Sequence, residues 1–156
     1  LGFELLIIDT PPAITSTIAT VIGMADLVVT PTRPSPHDLR SVARTVELAE
    51  RMDKPLIFVV NAASSRAKIT LNVAVALSQH GTLAPSIIHQ RSDFASSMID
   101  GRTVMEISRK SPSAVEIGEL WDYLEWRLER ISQRGIGTPV NTSHSYNERF
   151  SVRNAS

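Results

Sequence analysis

Short runs of consecutive apolar residues alternate along the chain with stretches whose apolar residues recur at helical spacing. The runs cover residues 3–8, 27–30, 56–60 and 83–88. Consecutive apolar positions predict strands that are buried on both faces, as in parallel sheets covered by helices. Alternation of such strands with helices predicts right-handed βαβ units, and therefore an α/β fold with a doubly wound, mostly parallel sheet flanked by helices.

The segments between the runs have the spacing of amphipathic helices. These helices are predicted over residues 14–24, 38–52, 67–79, 93–100 and 113–134. Pro31, Pro34 and Pro36, together with Ser35, are expected to close the second strand and open the next helix. The last helix should pack on the sheet through one apolar stripe, formed by Ile117, Leu120, Trp121, Leu124, Leu128 and Ile131.

Domain organisation follows from where this patterning stops. Residues 1–134 are expected to form one α/β domain. Residues 135–156 are rich in Gly, Ser, Asn and Thr and contain few apolar residues. Such a segment cannot bury enough surface to offset the entropy of ordering it. We therefore expect a disordered polar tail.

Composition narrows the possible functions. The 156 residues are 42% hydrophobic and 21% charged, which is typical of a folded globular chain. The sequence contains no cysteine, so disulfide frameworks, cysteine zinc sites and iron–sulfur clusters are excluded. Its 16 Lys and Arg residues balance its 16 Asp and Glu residues. A nucleic acid or a membrane would therefore have to be bound by a local patch.

The predicted strand over residues 3–8 runs directly into Asp9. A carboxylate at that end of a parallel strand lies where ligands bind in open α/β sheets, and it could hold the water shell of a nucleotide-bound Mg²⁺. The alternative is a helix N-cap or a turn residue. The continuation Thr10-Pro11-Pro12 favours the magnesium interpretation.

Several longer phrases of the sequence follow one another in a familiar order. They are Ile-Asp-Thr-Pro-Pro at 8–12, Ala-Asp-Leu-Val-Val-Thr-Pro at 25–31, Lys-Pro-Leu-Ile-Phe-Val-Val-Asn at 54–61 and Gly-Arg-Thr-Val-Met-Glu at 101–106. Together with residues 111–120 they resemble the ParA/MinD-type P-loop ATPases that partition plasmids and chromosomes. The resemblance covers about residues 1–131 and implies a P-loop NTPase-like fold, with ATP and Mg²⁺ as cofactors.

The resemblance implies roles for particular residues. Asp9 matches the Walker B aspartate that holds the Mg²⁺ water shell, and Thr10, Pro11 and Pro12 match the switch segment that senses the γ-phosphate. Asn61 matches the asparagine that reads the adenine edge, and its amide offers both a donor and an acceptor. A loop-capping amide is the alternative for Asn61. Gln90 and Arg91 lie in the loop over residues 89–93, which matches the loop that flanks the base.

The resemblance also implies partners. An ATP-bound homodimer would bind DNA non-specifically, a ParB-like centromere-binding protein would stimulate hydrolysis, and the protein would be cytoplasmic and nucleoid-associated. The basic residues expected to contact DNA phosphates are Arg66, Lys68, Arg91, Arg102 and Arg109, with an ordinary solvated surface as the alternative. Membrane binding is disfavoured because the last helix carries many acidic residues.

One expected motif is absent from the sequence. ParA-type enzymes carry a glycine-rich Walker A loop with lysines, but none of the seven glycines here is followed by lysine. We therefore expect a C-terminal fragment that does not hydrolyse ATP alone. Its strand over residues 3–8 should keep unpaired backbone groups and an uncovered apolar face. The competing hypothesis is a non-catalytic α/β adaptor that binds a protein partner.

Overall fold

The computed structural model describes residue 2 and residues 4–11, 16–64 and 68–135. Helices and strands alternate through this part of the chain, as predicted. In chain order they are α1 (Ser16–Met24), β1 (Val28–Thr32), α2 (Pro36–Arg51), β2 (Leu56–Val60), α3 (Lys68–Ser78), β3 (Thr82–Leu83), α4 (Ser92–Ser97), a 3₁₀ turn (Met98–Asp100), α5 (Val104–Ile107) and α6 (Pro112–Gly135). The strands form a parallel sheet in the order β1-β2-β3, which confirms the α/β fold class.

Strand β2 forms the centre of the described sheet and is buried on both faces. Phe58 and Val60 pack against α2 and α3, while Ile57 and Val59 pack against α6 around Tyr123. Burying each of these large side chains stabilises the fold by roughly 1.5–3 kcal/mol relative to leaving it exposed. The continuous apolar run at 56–60 therefore indicated a helix-covered parallel strand correctly.

Strand β1 continues past Pro31 to Thr32, whereas the sequence predicted that Pro31 would end it. The amide of Val28 donates to Pro55, and the carbonyl of Thr32 accepts from Asn61, so even-numbered residues face β2. Backbone groups alternate in direction along a strand, so Pro31 faces away from β2. It has no ladder hydrogen bond to lose there, and the strand tolerates it.

Strand β3 contains only residues 82–83, although the apolar run predicted a strand over 83–88. The chain bends at Pro85, and the amide of Ser86, which would be the next to face β2, does not continue the ladder. The amide of Ala84 still donates to the carbonyl of Phe58, and the chain returns to β2 where the amide of Ile88 donates to Val60. The segment therefore contacts β2 on both sides of a bend, with residues 84, 86 and 88 buried, and is not one regular strand.

Residues 4–11 differ most from the prediction of a buried strand over 3–8. The described part forms no strand, and none of the backbone hydrogen bonds found among the described residues reaches it. Leu6 is 79% exposed and Ile7 75% exposed. The buried-strand prediction is wrong here because no neighbouring strand pairs with this segment. The expectation that it would be left unpaired and uncovered is confirmed for residues 4–8.

Most helices begin or end within a few residues of the predicted bounds. Helix α2 begins at Pro36, earlier than predicted, because Ser35 caps it: its hydroxyl accepts the amide of Asp38 at 3.1 Å. Helix α5 was not predicted. Its signal was a Ser/Thr-x-x-Glu capping box, in which Thr103 and Glu106 satisfy each other's backbone amides. Of the tail predicted over residues 135–156, the structure describes only Gly135, which is the last residue of α6; residues 136–156 lie outside the described residues.

Candidate functional site at the carboxyl end of the sheet

Asn61 follows the last residue of β2, at the end of the sheet where the carboxyl ends of the parallel strands meet. Its amide donates to the carbonyl of Thr32 at 2.9 Å, which joins the ends of β1 and β2. Its side-chain Oδ1 accepts the backbone N–H of Ala62 at 2.9 Å. Among the described residues nothing accepts from its Nδ2, so the half-buried amide keeps donors available to a ligand.

The residue after Asn61 has a strained backbone. Ala62 has a φ of +52°, a conformation that residues other than glycine rarely adopt. Such strain costs on the order of 1–3 kcal/mol and persists only where the surroundings enforce it. Here the hydrogen bond from the Ala62 amide to Asn61 helps to enforce it. The backbone directly after β2, at Asn61 and Ala62, is therefore held in a defined conformation.

This loop is joined to the segment that follows β3. Ala63 and His89 form an isolated parallel bridge, in which the Ala63 amide donates to Ile88 and the Gln90 amide donates to Ala63, at 3.0 and 2.9 Å. The structure thus brings Asn61 and the loop over residues 89–93 to the same end of the sheet. The sequence had predicted both as nucleotide-contacting segments, without showing how they were connected.

Glu116 of α6 accepts hydrogen bonds from two residues of that loop. The two terminal guanidinium nitrogens of Arg91 donate to it, the Nη2–Oε1 distance being 2.7 Å, and the His89 amide donates to Oε2 at 3.0 Å. His89 Nδ1 lies 2.8 Å from Oε1. The carboxylate is 15% exposed. We call Glu116, His89 and Arg91 the Glu116 cluster; the sequence gave no sign of Glu116, whose partners are distant in the chain.

The Glu116 cluster holds its carboxylate in the charged state. Burial raises the pKa of Glu116, but the hydrogen bonds from Arg91 and His89 oppose it and bring the pKa down to about 2. Hydrogen bonding to Glu116, against the effect of burial, raises the pKa of Arg91. Because an ionised carboxylate only accepts hydrogen bonds, the His89 Nδ1 beside it carries a proton. A neutral His89 then has Nε2 as an acceptor.

A second contact holds Asp93, which ends the predicted loop and lies in the first turn of α4, against α6. The hydroxyl of Ser113, which is fully buried, donates to Asp93 Oδ2 at 2.9 Å. Ser113 and Glu116 are one turn apart near the beginning of α6. The first turns of α6 therefore hold residues 89–93 through side chains at both ends of the loop.

Of the other predicted nucleotide-site residues, those at 9–11 lie outside regular secondary structure, whereas Gln90 lies beside the Ala63–His89 bridge. Asp9, Thr10 and Pro11 are exposed, in the irregular segment over residues 4–11, and Pro12 lies outside the described residues. No hydrogen bond or ion pair found among the described residues joins Asp9 to Asn61. Gln90 is exposed and takes part in the bridge through its backbone amide.

The basic residues expected to contact DNA fall into different environments. Arg91 is engaged in the Glu116 cluster, and Arg102 donates to Asp100 through Nε and Nη2 at 2.9 and 2.6 Å. Arg109 is exposed in the turn between α5 and α6. Lys68 is the first residue of α3, and Arg66 lies outside the described residues. The three candidate arginines that the structure describes thus do not form one uniform charged surface.

A cleft of about 210 Å³ lies at the opposite end of the sheet, beside the first residues of β2 and β3. Glu50, Lys54, His80 and Arg127 contribute its charged and polar lining. The cleft is therefore separate from the carboxyl end of the sheet.

Within the described ranges, no three acidic or histidine side chains gather closely enough to hold a metal ion. No helix in the described part of the chain is long and apolar enough to cross a membrane.

Comparison with known proteins gives one informative likeness. No protein-family model matches the chain. The chain is 45% identical over 49 residues to Maintenance of carboxysome distribution protein A of Gloeobacter kilaueensis. The matched residues make up 31% of this chain and 23% of that protein's length. This partial similarity agrees with the ParA/MinD-type resemblance of the sequence.

Proposed function

We propose that this chain is the carboxyl-terminal portion of a ParA-type positioning ATPase, with its adenine-binding residues at the carboxyl end of the sheet. The observation that carries the proposal is Asn61, which follows the buried central strand with Nδ2 available and its loop held by Thr32 and by the Ala63–His89 bridge. The similarity over 49 residues to a carboxysome distribution protein supports the same class.

The chemistry of Asn61 fits adenine. An asparagine amide recognises adenine by donating to a ring nitrogen and accepting from the exocyclic amino group. Oδ1 already accepts from Ala62, but a carbonyl oxygen has two lone pairs and can accept a second hydrogen bond. Guanine has a carbonyl oxygen in place of that amino group, so the same amide would discriminate against it. The loop-capping contact to Ala62 fixes the amide orientation that this recognition needs.

Asp9 has the proposed role of holding the water shell of Mg²⁺, which commonly takes only one or two protein carboxylates. Thr10, Pro11 and Pro12 would then link the nucleotide state to dimerisation. Mg²⁺ would neutralise phosphate charge during phosphoryl transfer. The phosphate-binding loop is not found in these 156 residues, so the catalytic site needs a segment of the longer protein.

The partners belong to the same proposal. A nucleotide-bound dimer would bind DNA through phosphate contacts from Arg109 and the basic residues near the start of α3. Arg91 and Arg102 would contribute less because Glu116 and Asp100 neutralise their charges. A ParB-like partner would stimulate hydrolysis. The cargo would be a DNA molecule or a cellular body moved over DNA.

The test uses the longer protein that contains this chain. Purified wild-type protein should bind Mg-ATP and hydrolyse it, and Asp9→Ala should remove Mg²⁺-dependent turnover. Asn61→Asp should weaken ATP binding and reduce the preference for ATP over GTP, because it removes the amide donor. Asp26→Ala, at an exposed acidic residue before β1, is the matched control. Wild-type protein that binds no nucleotide would contradict the proposal and favour the adaptor hypothesis.

A further inference from the structure

The Glu116 cluster connects the candidate base-flanking loop to the first turns of α6. His89 and Arg91 precede α4, whereas Glu116 lies 27 and 25 residues later in the sequence from them. The contacts are therefore made only by the tertiary fold. Ser113 adds a contact to Asp93 from the same turns of the helix. Together these side chains hold residues 89–93 against α6, which covers the face of β2 opposite to α3.

We infer that Glu116 is a positioning residue for the nucleotide site: it holds the loop over residues 89–93 at the carboxyl end of the sheet, beside Asn61. That a nucleotide binds here rests on the proposed function. The position of the loop against Glu116 rests on the structure. Glu116 faces Arg91 and His89, both from the loop, so it need not contact the nucleotide to act.

The hydrogen bonds explain why a carboxylate is required at this position. Arg91 presents two parallel donors, which a carboxylate accepts with both oxygens, and His89 adds a backbone donor and a ring donor. Glutamine would accept fewer of them and would carry no charge. Its NH₂ group would face the Arg91 donors or the His89 donors. Glu116→Gln should therefore release the loop while keeping the size of the side chain.

Release of the loop should weaken nucleotide binding more than it slows the hydrolysis step. The bridge between Ala63 and His89 ties the loop to the segment that carries Asn61, so disorder of one disturbs the other. In the longer protein Glu116→Gln should raise the KM for ATP about tenfold, the loss expected for a charged hydrogen-bond network, with kcat near wild type. Arg91→Lys, which keeps the charge but not the paired donors, should have a smaller effect in the same direction.

A matched control is Glu119→Gln, an exposed glutamate on the same helix. All variants are assayed well below their unfolding temperatures, so that a loss of stability alone does not change KM. A KM for Glu116→Gln within twofold of that for Glu119→Gln would overturn the inference while leaving the proposed function standing. Wild-type protein that fails to bind ATP would overturn both the inference and the proposed function.

Hydrogen exchange without nucleotide tests the positioning separately. The His89 amide donates to Glu116, so its exchange should be slow in wild type and at least tenfold faster in Glu116→Ala, which has no acceptor. The Ile88 amide, bonded to Val60, should change less and reports whether the sheet remains intact. Unchanged exchange at His89 in this variant would overturn the inference even if the variant cannot be assayed with ATP.

Discussion

Ala63 and His89 pair in parallel beyond the ends of the regular strands, and the pair joins the two loops that leave the carboxyl end of the sheet. The Ala63 amide donates to Ile88, and its carbonyl accepts from Gln90. Asn61 lies two residues before one member of this pair, and Arg91 two residues after the other. The bridge therefore holds the two loops together at the end of the sheet where the nucleotide site is proposed.

The first prediction concerns the pH dependence of stability. The pKa of Glu116 is about 2 in the folded protein and 4.5 in its ordinary state. Because the folded value is the lower one, its contribution is complete above about pH 4.5 and is lost as the pH falls toward 2. The contribution is on the order of 2 kcal/mol after allowing for solvent screening at this partly exposed position.

The measurement is urea unfolding between pH 7 and pH 2.5. Wild type should lose more stability than Glu116→Gln across the window from pH 4.5 downward, and the two curves should converge at the acid end. Other carboxylates titrate in both proteins, so only the difference between the curves reports on Glu116. Parallel curves with a constant offset would contradict the assignment.

The second prediction separates the arginines as DNA contacts in the longer protein. Arg109→Ala should weaken binding at low salt and reduce the slope of log affinity against log salt by about one, because one phosphate contact is lost. Arg91→Ala should leave that slope unchanged, since its guanidinium already neutralises Glu116. Filter binding from 50 to 200 mM salt measures the DNA affinity of both variants and the slope of each against salt. A larger slope change for Arg91 than for Arg109 would contradict the prediction.

The third prediction concerns the exposed apolar segment. Leu6 and Ile7 are more than two-thirds exposed, so the 156-residue chain produced alone should self-associate. Replacing both by lysine should raise its monomeric fraction, measured by size-exclusion chromatography with light scattering. Arg40→Lys, at an exposed site on α2, is a charge-neutral control. A wild-type chain that remains monomeric at high concentration would show that this segment is covered in solution.

The fourth prediction tests the beginning of α2. Ser35→Ala removes the acceptor for the Asp38 amide and should destabilise the fold by about 1 kcal/mol. Ser41, further along the helix, donates its hydroxyl only to the carbonyl of Asp38 and is exposed. Ser41→Ala should therefore change stability by less than about 0.5 kcal/mol. Chemical denaturation of both variants makes the comparison, and equal effects would argue against the cap.

The sequence by itself determined the elements whose signals are local. The apolar run at 56–60 predicted β2 because a strand buried on both faces needs apolar residues at consecutive positions, and helical spacing predicted α2, α3 and α6. It also placed Asn61 at the end of a strand. These features depend on neighbouring residues, and so their physical cause is present in the linear chain.

The tertiary structure decided what depends on distant residues. Within the part of the chain that the structure describes, it left residues 4–8 without a strand partner, since β-pairing requires a second strand to supply the hydrogen bonds. It also brought Glu116 to Arg91 and His89, a contact that no local pattern encodes. The order of the strands and the packing of α6 bring these groups together, because burial of the apolar faces fixes where each helix lies on the sheet.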